Sequence, residues 1–447
     1  MDAAVLESTL LRVRQLIASD DIGAAIRLIE GLYPADQADL FEELELDQQQ
    51  TLLPALDIED AADILEDMED PEAAELAAMI DADALAHIVD EMAPDKAADL
   101  LGDLAPSLTT ATLEHMEDSD EVRPLLLHPD ETAGGLMTSE YLAFPGAMRA
   151  DAVLSAIRQW HTKGIESTHY FVVDPAQRLL GIVSLLDLVR AEGNARIDAL
   201  MDSQVLTVNV ADDQEAAARL MTRYDLYAVP VVDDRDHVVG VITIDDLVDV
   251  MEDEATEDIH RISGVEPLRR PYLDAGIFSL VWRRIGWLLL LFVTGTLTGS
   301  VMRLFQDNLP EMVALTVFVP LLIGTGGNAG SQSTATIIRA LAVGDVDYWD
   351  ARHVLWRELR AAILLGILLA TIAYFRSLAW GNSPAISAVV ASSILGIVIW
   401  ADCVGALLPI VASRLKIDPA LISGPLMSTL VDATGLLIYF SIASAVL

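Results

Sequence analysis

The C-terminal part of the chain contains five apolar runs, each long enough to cross a lipid bilayer as one helix. They occupy residues 284–304, 314–336, 359–379, 385–411 and 422–446. Because the hydrocarbon region offers no water to satisfy backbone polar groups, such runs fold as helices. The sequence therefore predicts a five-helix α transmembrane domain over residues 284–447.

The last of these runs carries one carboxylate, Asp432, about two helical turns beyond its start. A charged side chain near the middle of a bilayer costs roughly 2.5–3.5 kcal/mol even on a lenient scale, so it normally faces a partner or a water-filled path. Asp432 is therefore a candidate cation site. The alternative is an aspartate that contacts a neighbouring helix and serves packing alone.

The second run is rich in small and polar residues. It contains four glycines within residues 324–330, and the polar side chains of Asn328, Ser331 and Gln332. Such a segment either allows close helix packing, for which its G-x-x-x-G spacing is typical, or frees backbone carbonyls to line a pore, and both can hold together. Neutral oxygen atoms suit a cation that keeps its water shell.

Charge divides the chain into two parts. Of the 69 acidic and 27 basic residues, 59 and 17 lie in residues 1–270, which hold the whole net charge of −42, and ten of each follow. The chain thus combines an acidic soluble body with a near-neutral membrane body. An acidic surface repels nucleic acid and attracts divalent cations, so we expect divalent cations and the lipid bilayer as partners, and no nucleic acid.

The orientation follows from the flanks of the apolar runs. The start of the chain lacks the basic and apolar regions of a secretory signal, so the acidic body is expected in the cytoplasm. The inner flanks then hold eight basic residues and the outer flanks two, which satisfies the positive-inside rule. We expect a multi-pass protein of the plasma (inner) membrane with its C-terminus outside. The single cysteine, Cys403, excludes an intramolecular disulfide.

A repeat of twelve residues runs through residues 26–116, from the core IRLIEGL at residue 26 to TATLEHM at residue 110. The third and seventh positions of each core are apolar except for Thr112, and they form an i,i+4 pair on one helical face. Pro71 and Pro94 mark helix starts. The pattern predicts an α-solenoid of short helices over residues 1–133, and such solenoids usually bind or transmit rather than catalyse.

The following segment has β-rich runs separated by helical stretches, and it is doubled. Gly181-Ile-Val-Ser-Leu-Leu-Asp corresponds to Gly240-Val-Ile-Thr-Ile-Asp-Asp, and Leu136-Met137 corresponds to Leu200-Met201. The tandem resembles a pair of CBS domains, an α/β pair with modules at 134–199 and 200–260.

In the CBS family, the hydroxyl and the carboxylate three residues later hold a nucleotide. The resemblance therefore implies Ser184 with Asp187, and Thr243 with Asp246, as nucleotide-binding pairs with ATP as the candidate ligand. The other interpretation is a CBS pair that binds no nucleotide and only dimerises.

An acid-rich helix is predicted after the second module, with six acidic residues from Asp249 to Asp258 and a stop at Gly264. Like charges three and four residues apart destabilise a helix unless something neutralises them. A bound divalent cation would do so, and a solvated charged face is the usual alternative.

Several motifs, in order along essentially the whole chain, resemble those of the MgtE magnesium channels. They are Thr132-Ala-Gly-Gly-Leu-Met, Glu254-Ala-Thr-Glu-Asp-Ile, the stretch from Pro320 through Gly324-Thr-Gly-Gly-Asn-Ala-Gly-Ser-Gln-Ser, Asp418-Pro-Ala, Ser423-Gly-Pro and Asp432-Ala-Thr-Gly-Leu.

The resemblance implies a Mg²⁺-selective channel or transporter for magnesium uptake. It implies a homodimer with a shared central pore, gated by intracellular Mg²⁺ that binds between the cytoplasmic domains and a connecting plug helix in residues 261–283. Asp432 would be the pore carboxylate, Asn328 a pore-lining amide and Asp418 an inner-mouth acid. The implied intracellular sensor consists of Glu91, Asp95, Asp213, Asp225, Asp246, Asp249, Glu254, Glu257 and Asp258.

Asp402 departs from the family pattern, because the family more often has an uncharged amide at this place in the fourth run. It is either a second pore acid or the partner of an inner arginine.

Asp402 and Asp432 together also suggest an intramembrane aspartyl protease, in which two carboxylates share a proton. The G-x-G-D sequence of such proteases is absent, as are H-E-x-x-H and G-x-S-x-G. A CBS-regulated scaffold would leave Asp432 and Asn328 without a role. The sequence favours a channel and not an enzyme.

Overall fold

The computed structural model describes residues 3–160, 168–268, 272, 275–305, 312–422 and 424–447. The chain separates into two compact units, which we name the N-terminal unit, Met1–Glu252, and the C-terminal unit, Asp253–Leu447. The N-terminal unit holds a helical array and two small sheets, and the C-terminal unit holds the long apolar helices.

Short helices follow one another through the first part of the N-terminal unit. They are α1 (Ala3–Ala18), α2 (Ile22–Ile29), α3 (Pro34–Glu42), α4 (Leu46–Leu52), α5 (Ile58–Asp67), α6 (Asp70–Ala77), α7 (Ala82–Val89), α8 (Pro94–Asp103), α9 (Pro106–His115), α10 (Ser119–Val122) and α11 (Ala133–Leu136). The helices from α2 to α9 match the eight twelve-residue cores, so the predicted solenoid is confirmed. Packing of each helix mainly against the next but one buries the apolar stripe that a single short helix could not cover alone.

Carboxylates at every second repeat cap a later helix of the solenoid. Glu69 N donates to the carboxylate of Glu42 at 2.8 Å, Ala93 N donates to that of Glu66 at 2.5 Å, and Glu117 N donates to that of Asp90 at 2.9 Å. In each pair the donor follows 27 residues after the acid. A carboxylate at a helix N-terminus satisfies an otherwise unpaired N–H, so these acids hold non-adjacent helices together.

Two small sheets of identical topology form the second part of the unit. The elements are β1 (Ala143–Pro145), α12 (Ala150–Ile157), β2 (His169–Val173), β3 (Leu179–Ser184), α13 (Leu185–Arg190), β4 (Val208–Asn209), α14 (Gln214–Tyr224), β5 (Ala228–Val232) and β6 (Val238–Thr243). In each sheet the first two strands are parallel and the last two antiparallel. The doubling that the sequence predicts is therefore confirmed in the fold.

The two modules exchange the segments that precede them. Thr138 N donates to Val241 O at 2.9 Å in β6, and Asp202 N donates to Ile182 O at 2.8 Å in β3. A Cβ added at Gly240 would lie 2.6 Å from the Sδ of Met137, and one at Gly181 would lie 2.5 Å from the Asp202 carbonyl oxygen and 2.9 Å from the Sδ of Met201. The repeated glycines are thus needed because the Leu-Met segments pack directly against the backbone at these positions.

The acid-rich segment forms the helix α15 (Ile244–Ile262), which is followed by Gly264 with a φ of +71°. Only glycine adopts this conformation without strain. In the described part of residues 261–283, helix is found at the two ends, as the last turn of α15 and the first turns of the next helix. The prediction of a connecting helix in this range lies partly outside the described residues.

The C-terminal unit contains α16 (Ile277–Phe305), α17 (Met312–Thr316), α18 (Val319–Ala342), α19 (Ala351–Ala379), α20 (Pro384–Arg414) and α21 (Gly424–Val446). Five segments in the described residues are long and apolar enough to cross a membrane, which confirms the five predicted spans. The helix α19 begins before its apolar run, because helical hydrogen bonding continues into the polar flank until the turn at Asp350. It therefore contains Glu358, which the apolar run at 359–379 excluded.

Glycines set the packing of α18 against α20 and α21. A Cβ added at Gly326 would lie 2.7 Å from Val431 Cγ1, and one at Gly330 would lie 2.8 Å from Met427 Cε. From the other side, a Cβ at Gly405 would lie 2.5 Å from the Gly330 carbonyl oxygen. The helix continues without a break through this fully described segment, so the structure supports close packing and shows no freed carbonyls there.

Candidate ion pathway and sensor sites

A polar face lies on α18. Asn328 and Gln332 are one turn apart and exposed, whereas the residues that face α20 and α21 are buried. Ser331 Oγ donates to Gly424 O at 3.1 Å and lies 3.3 Å from Ser428 Oγ, which fixes the start of α21 against α18.

Asp432 lies one turn beyond Ser428 on α21 and is half-buried. None of the ion pairs found among the described residues involves this carboxylate. In the described part of the chain no ion pair ties Asp432 to a neighbouring helix, and Asp432 lies on α21, which packs against α18.

Asp402 occupies a different place in the C-terminal unit. Ser333 Oγ donates to Glu358 Oε2 at 2.9 Å and lies 3.2 Å from the Asp402 carbonyl oxygen. Ser333 projects from α18 about 140° away from Asn328, because five residues advance a helix by that angle. Asp402, with 4% of its surface exposed, is therefore grouped with Glu358 and not with the Asn328 face.

This position of Asp402 bears on two expectations from the sequence, the ion pair with an inner arginine and the protease dyad with Asp432. No ion pair to an arginine is found within the described ranges. No hydrogen bond joins its carboxyl group to that of Asp432 there, as a proton-sharing protease dyad would require. Glu358 was not anticipated from the sequence, because it lies just outside the apolar run and gains its neighbours only through the packing of α18, α19 and α20.

Asp418 is brought together with two of the proposed sensor acids. Its Oδ1 accepts from Ala420 N at 2.8 Å and caps a short turn, and its Oδ2 accepts from the Arg261 guanidinium. Arg261 also pairs with Glu257 on α15. Burial and the nearby Asp418 raise the pKa of Asp258. The i,i+4 spacing could have suggested the Glu257–Arg261 pair, but nothing in the sequence pointed to Asp418 as its third member.

Another acid cluster lies within the N-terminal unit, where α8 faces the start of α15. Asp95 and Asp246 are 7% and 8% exposed. The Oδ1 atom of Asp95 is buried and has no hydrogen-bond partner among the described residues. Burial and the charge of Asp95 raise the pKa of Asp246 to about 6. Lys96 Nζ lies 3.8 Å from Asp249 Oδ2 within the same cluster.

Two of the remaining proposed sensor acids lie at the two ends of one helix. Asp213 caps α14 through Glu215 N at 2.9 Å, and Asp225 ends the same helix in a left-handed conformation, about 18 Å away by helical rise. Glu91 is exposed in the turn after α7, and Glu254 lies on α15. In the described residues no three His, Cys, Asp or Glu side chains are close enough to hold a metal ion.

The two proposed nucleotide-binding pairs form the same local contact. Ser184 Oγ donates to Asp187 Oδ2 at 2.6 Å, and Thr243 Oγ1 donates to Asp246 Oδ2 at 2.7 Å. They differ in access, because Asp187 is exposed and Asp246 is buried. Asp246 therefore fits the acid cluster better than a ribose site, and Ser184 with Asp187 remains the accessible pair.

Comparisons with known proteins agree with this architecture. The sequence model described as "Divalent cation transporter" of the MgtE family matches residues 319–442, that of the MgtE intracellular N domain matches 32–131, and that of the CBS domain matches 133–194 and 197–253. Together, the membrane helices and the matched modules define a divalent cation transporter with an MgtE N domain and a pair of CBS domains.

The magnesium transporter MgtE of Thermus thermophilus is 42% identical over 327 residues, which cover 73% of this chain and 72% of that protein. The one from Bacillus subtilis is 33% identical over 335 residues, or 74% of each chain. A crystal structure of the cytosolic domain of the Mg²⁺ channel MgtE in complex with ATP matches with a TM-score of 0.51 and 30% identity, and covers 54% of this chain and 99% of that one. The chain belongs to the MgtE family.

The buried acids predict that the N-terminal unit loses stability as the pH rises. Burial raises the pKa of Glu66 to about 7, although the hydrogen bond from Ala93 N acts in the opposite direction, and the pKa of Asp246 is about 6. Both carboxyls bind a proton more tightly in the folded state. Their contribution is therefore fully present below about pH 4, the range of the unfolded carboxyls, and is lost as the pH passes 6 and 7.

Ionisation of each of the two acids is expected to lower the free energy of unfolding at pH 8 by up to about 3 kcal/mol, relative to the protonated state below about pH 4. The loss of stability is measured by heating the full chain at pH 5.5 and at pH 8 without divalent ions. Protease cleavage within residues 1–252 reports the unfolding of the N-terminal unit at each temperature. Glu66→Gln keeps the oxygen that accepts from Ala93 N and should reduce the pH dependence. Equal stability at both pH values would contradict the assignment.

Proposed function

We propose that the protein is a Mg²⁺ channel or transporter for magnesium uptake, in which ions pass along the polar face of α18 and the carboxylate of Asp432 on α21. The observation that carries this proposal is the exposure of Asn328 and Gln332 on a helix that lies in the membrane. Amides cannot be left against lipid without a cost of several kcal/mol. They therefore face water, and Asp432 lies on α21, which packs against α18.

The same observation supports a homodimer. A path for a hydrated ion needs a wall opposite α18 and α21, and a second copy related by two-fold symmetry supplies an identical polar face. The helix α16 has no buried residue in one chain, so it is also available to a second copy or to lipid. In such a dimer two Asp432 carboxylates meet the ion path, which suits Mg²⁺ because this ion keeps most of its water and takes few protein ligands.

We propose that the acids of the cytoplasmic part regulate this path. The buried Oδ1 of Asp95 has no hydrogen-bond partner among the described residues, and burial together with the charge of Asp95 raises the pKa of Asp246, so the nearby Lys96 does not neutralise these carboxylates fully. Asp95, Asp246 and Asp249 would repel one another at low Mg²⁺ and approach more closely when Mg²⁺ neutralises them, which favours one conformation over another by differential binding. Glu257, Asp258 and Asp418 form a second acid group at the loop before α21.

The proposal also includes ATP at the first CBS module and the orientation in the membrane. The similarity to a cytosolic domain in complex with ATP supports a nucleotide at Ser184 and Asp187, the accessible pair. The distribution of basic residues supports an intracellular N-terminus and an outer C-terminus. We propose the domain limits 1–133, 134–199, 200–260, 261–283 and 284–447, and the order of the four matched segments supports this order of domains.

The proposed transport is tested by expressing the chain in a bacterial strain that lacks its own magnesium uptake systems. Growth at low external Mg²⁺ and entry of Mg²⁺ into liposomes that contain the purified protein are both expected. A purified protein that is folded and inserted but gives no Mg²⁺ flux above that of empty liposomes would refute the proposal.

A further inference from the structure

An ammonium group lies in the middle of the acid cluster of the N-terminal unit. Lys96 interacts electrostatically with five carboxylates, those of Asp67, Asp95, Asp99, Asp246 and Asp249. They come from α5, α8 and α15, so the cluster exists only in the folded unit. The carboxyl groups outnumber the single ammonium group, and the buried Oδ1 of Asp95 has no hydrogen-bond partner among the described residues, which leaves room for a further cation.

The position of Lys96 in α8 is unfavourable by local criteria. It is the third residue of the helix, in the first turn, where the helix dipole favours acidic side chains and disfavours basic ones. Its place is stabilised by tertiary contacts instead, above all by Asp246 and by Asp249, whose Oδ2 lies 3.8 Å from Lys96 Nζ. Lys96 thus acts as an internal counter-ion for α15.

We propose that Lys96 sets the Mg²⁺ concentration to which the N-terminal unit responds, because its ammonium group competes with the divalent ion for Asp246 and Asp249. This inference rests on the proposed sensor function of these acids. The buried Oδ1 of Asp95, which lacks a hydrogen-bond partner among the described residues, shows that the lysine does not satisfy the cluster completely. A divalent ion that enters the cluster gains from the unpaired carboxylates and is repelled by Lys96.

Removing the ammonium group should therefore strengthen Mg²⁺ binding. A unit charge and a divalent ion about 6 Å apart, screened as in bulk water, repel each other by an amount equivalent to about a tenfold change in affinity. Lys96→Met keeps the length of the side chain and removes its charge. We expect the midpoint of the Mg²⁺ response to fall about tenfold, and the unit without Mg²⁺ to become more sensitive to protease.

The experiment uses the full chain in detergent at constant ionic strength, with Mg²⁺ as the titrant and the rate of protease cleavage within residues 1–252 as the readout. Lys96→Arg keeps the charge and should leave the midpoint within about twofold of the wild type. Arg12→Met removes a charge from the exposed face of α1, far from the cluster in sequence, and controls for net charge. The midpoint of this variant should not change.

The outcomes separate the two proposals. A wild-type protein whose cleavage does not respond to Mg²⁺ overturns both the sensor function and the role of Lys96. A wild-type response with an unchanged or higher midpoint in Lys96→Met overturns the role of Lys96 alone. If Lys96→Met fails to fold, Lys96→Gln tests the same loss of charge, and the same midpoint decides.

Discussion

Asp432→Ala is expected to reduce Mg²⁺ flux through the purified protein by at least about 100-fold, with no change in folding. In the proposed dimer the substitution removes two carboxylates from the ion path. A charge-assisted hydrogen bond between a carboxylate and the water shell of the ion contributes about 1.5–3 kcal/mol, so the loss of two is equivalent to a factor of about 100 or more. Mg²⁺ entry into liposomes measures the flux, and growth at low Mg²⁺ should fail in parallel.

A second acid provides the matched control for this experiment. Asp345 is exposed in the loop between α18 and α19, so Asp345→Ala removes the same group outside the ion path and should retain nearly full flux. Asp432→Asn keeps the shape and a hydrogen-bonding oxygen but not the charge, and we expect an intermediate loss. Full flux in the folded Asp432→Ala protein would remove this residue from the mechanism.

Gly405→Ala is expected to have the largest effect on the stability of the C-terminal unit. A Cβ at this position would lie 2.5 Å from the Gly330 carbonyl oxygen and 3.0 Å from Thr334 Oγ1. Because the first contact is with backbone, α18 and α20 would have to move apart, which costs at least about 3 kcal/mol. The hydrogen bond from Thr334 Oγ1 to Gly405 O, 3.1 Å long, would be weakened too.

We expect the melting temperature of the C-terminal unit in detergent to fall by roughly 10 °C. Gly396→Ala, on the same helix, is the control, because its added Cβ would meet only Ile438 Cγ2 at 3.5 Å, an ordinary contact. Alanine is the better helix former, so this variant should be neutral or slightly stabilised. If the two variants melted at the same temperature, the close approach of α18 and α20 would not determine stability.

The periodicity and the charge distribution of the sequence were sufficient to predict the architecture. The twelve-residue repeat predicted the eight helices from α2 to α9, because each stripe must be buried against a neighbour. The doubled Gly and Leu-Met pairs predicted two equivalent modules, and the five apolar runs predicted five spans. These features are local, so the sequence determines them directly. Asp432 and Asn328 were also identified from the sequence as candidates for the ion path, because polar groups in apolar runs are conspicuous.

Only the tertiary structure decided which acids meet. Asp402 could be expected at the pore, but the packing of α18, α19 and α20 groups it with Ser333 and Glu358. No sequence pattern indicated that Lys96 lies among acids from three helices, or that Arg261 joins Glu257 to Asp418. Such contacts depend on the angle and register at which distant helices pack, which the spacing of residues along one helix does not specify.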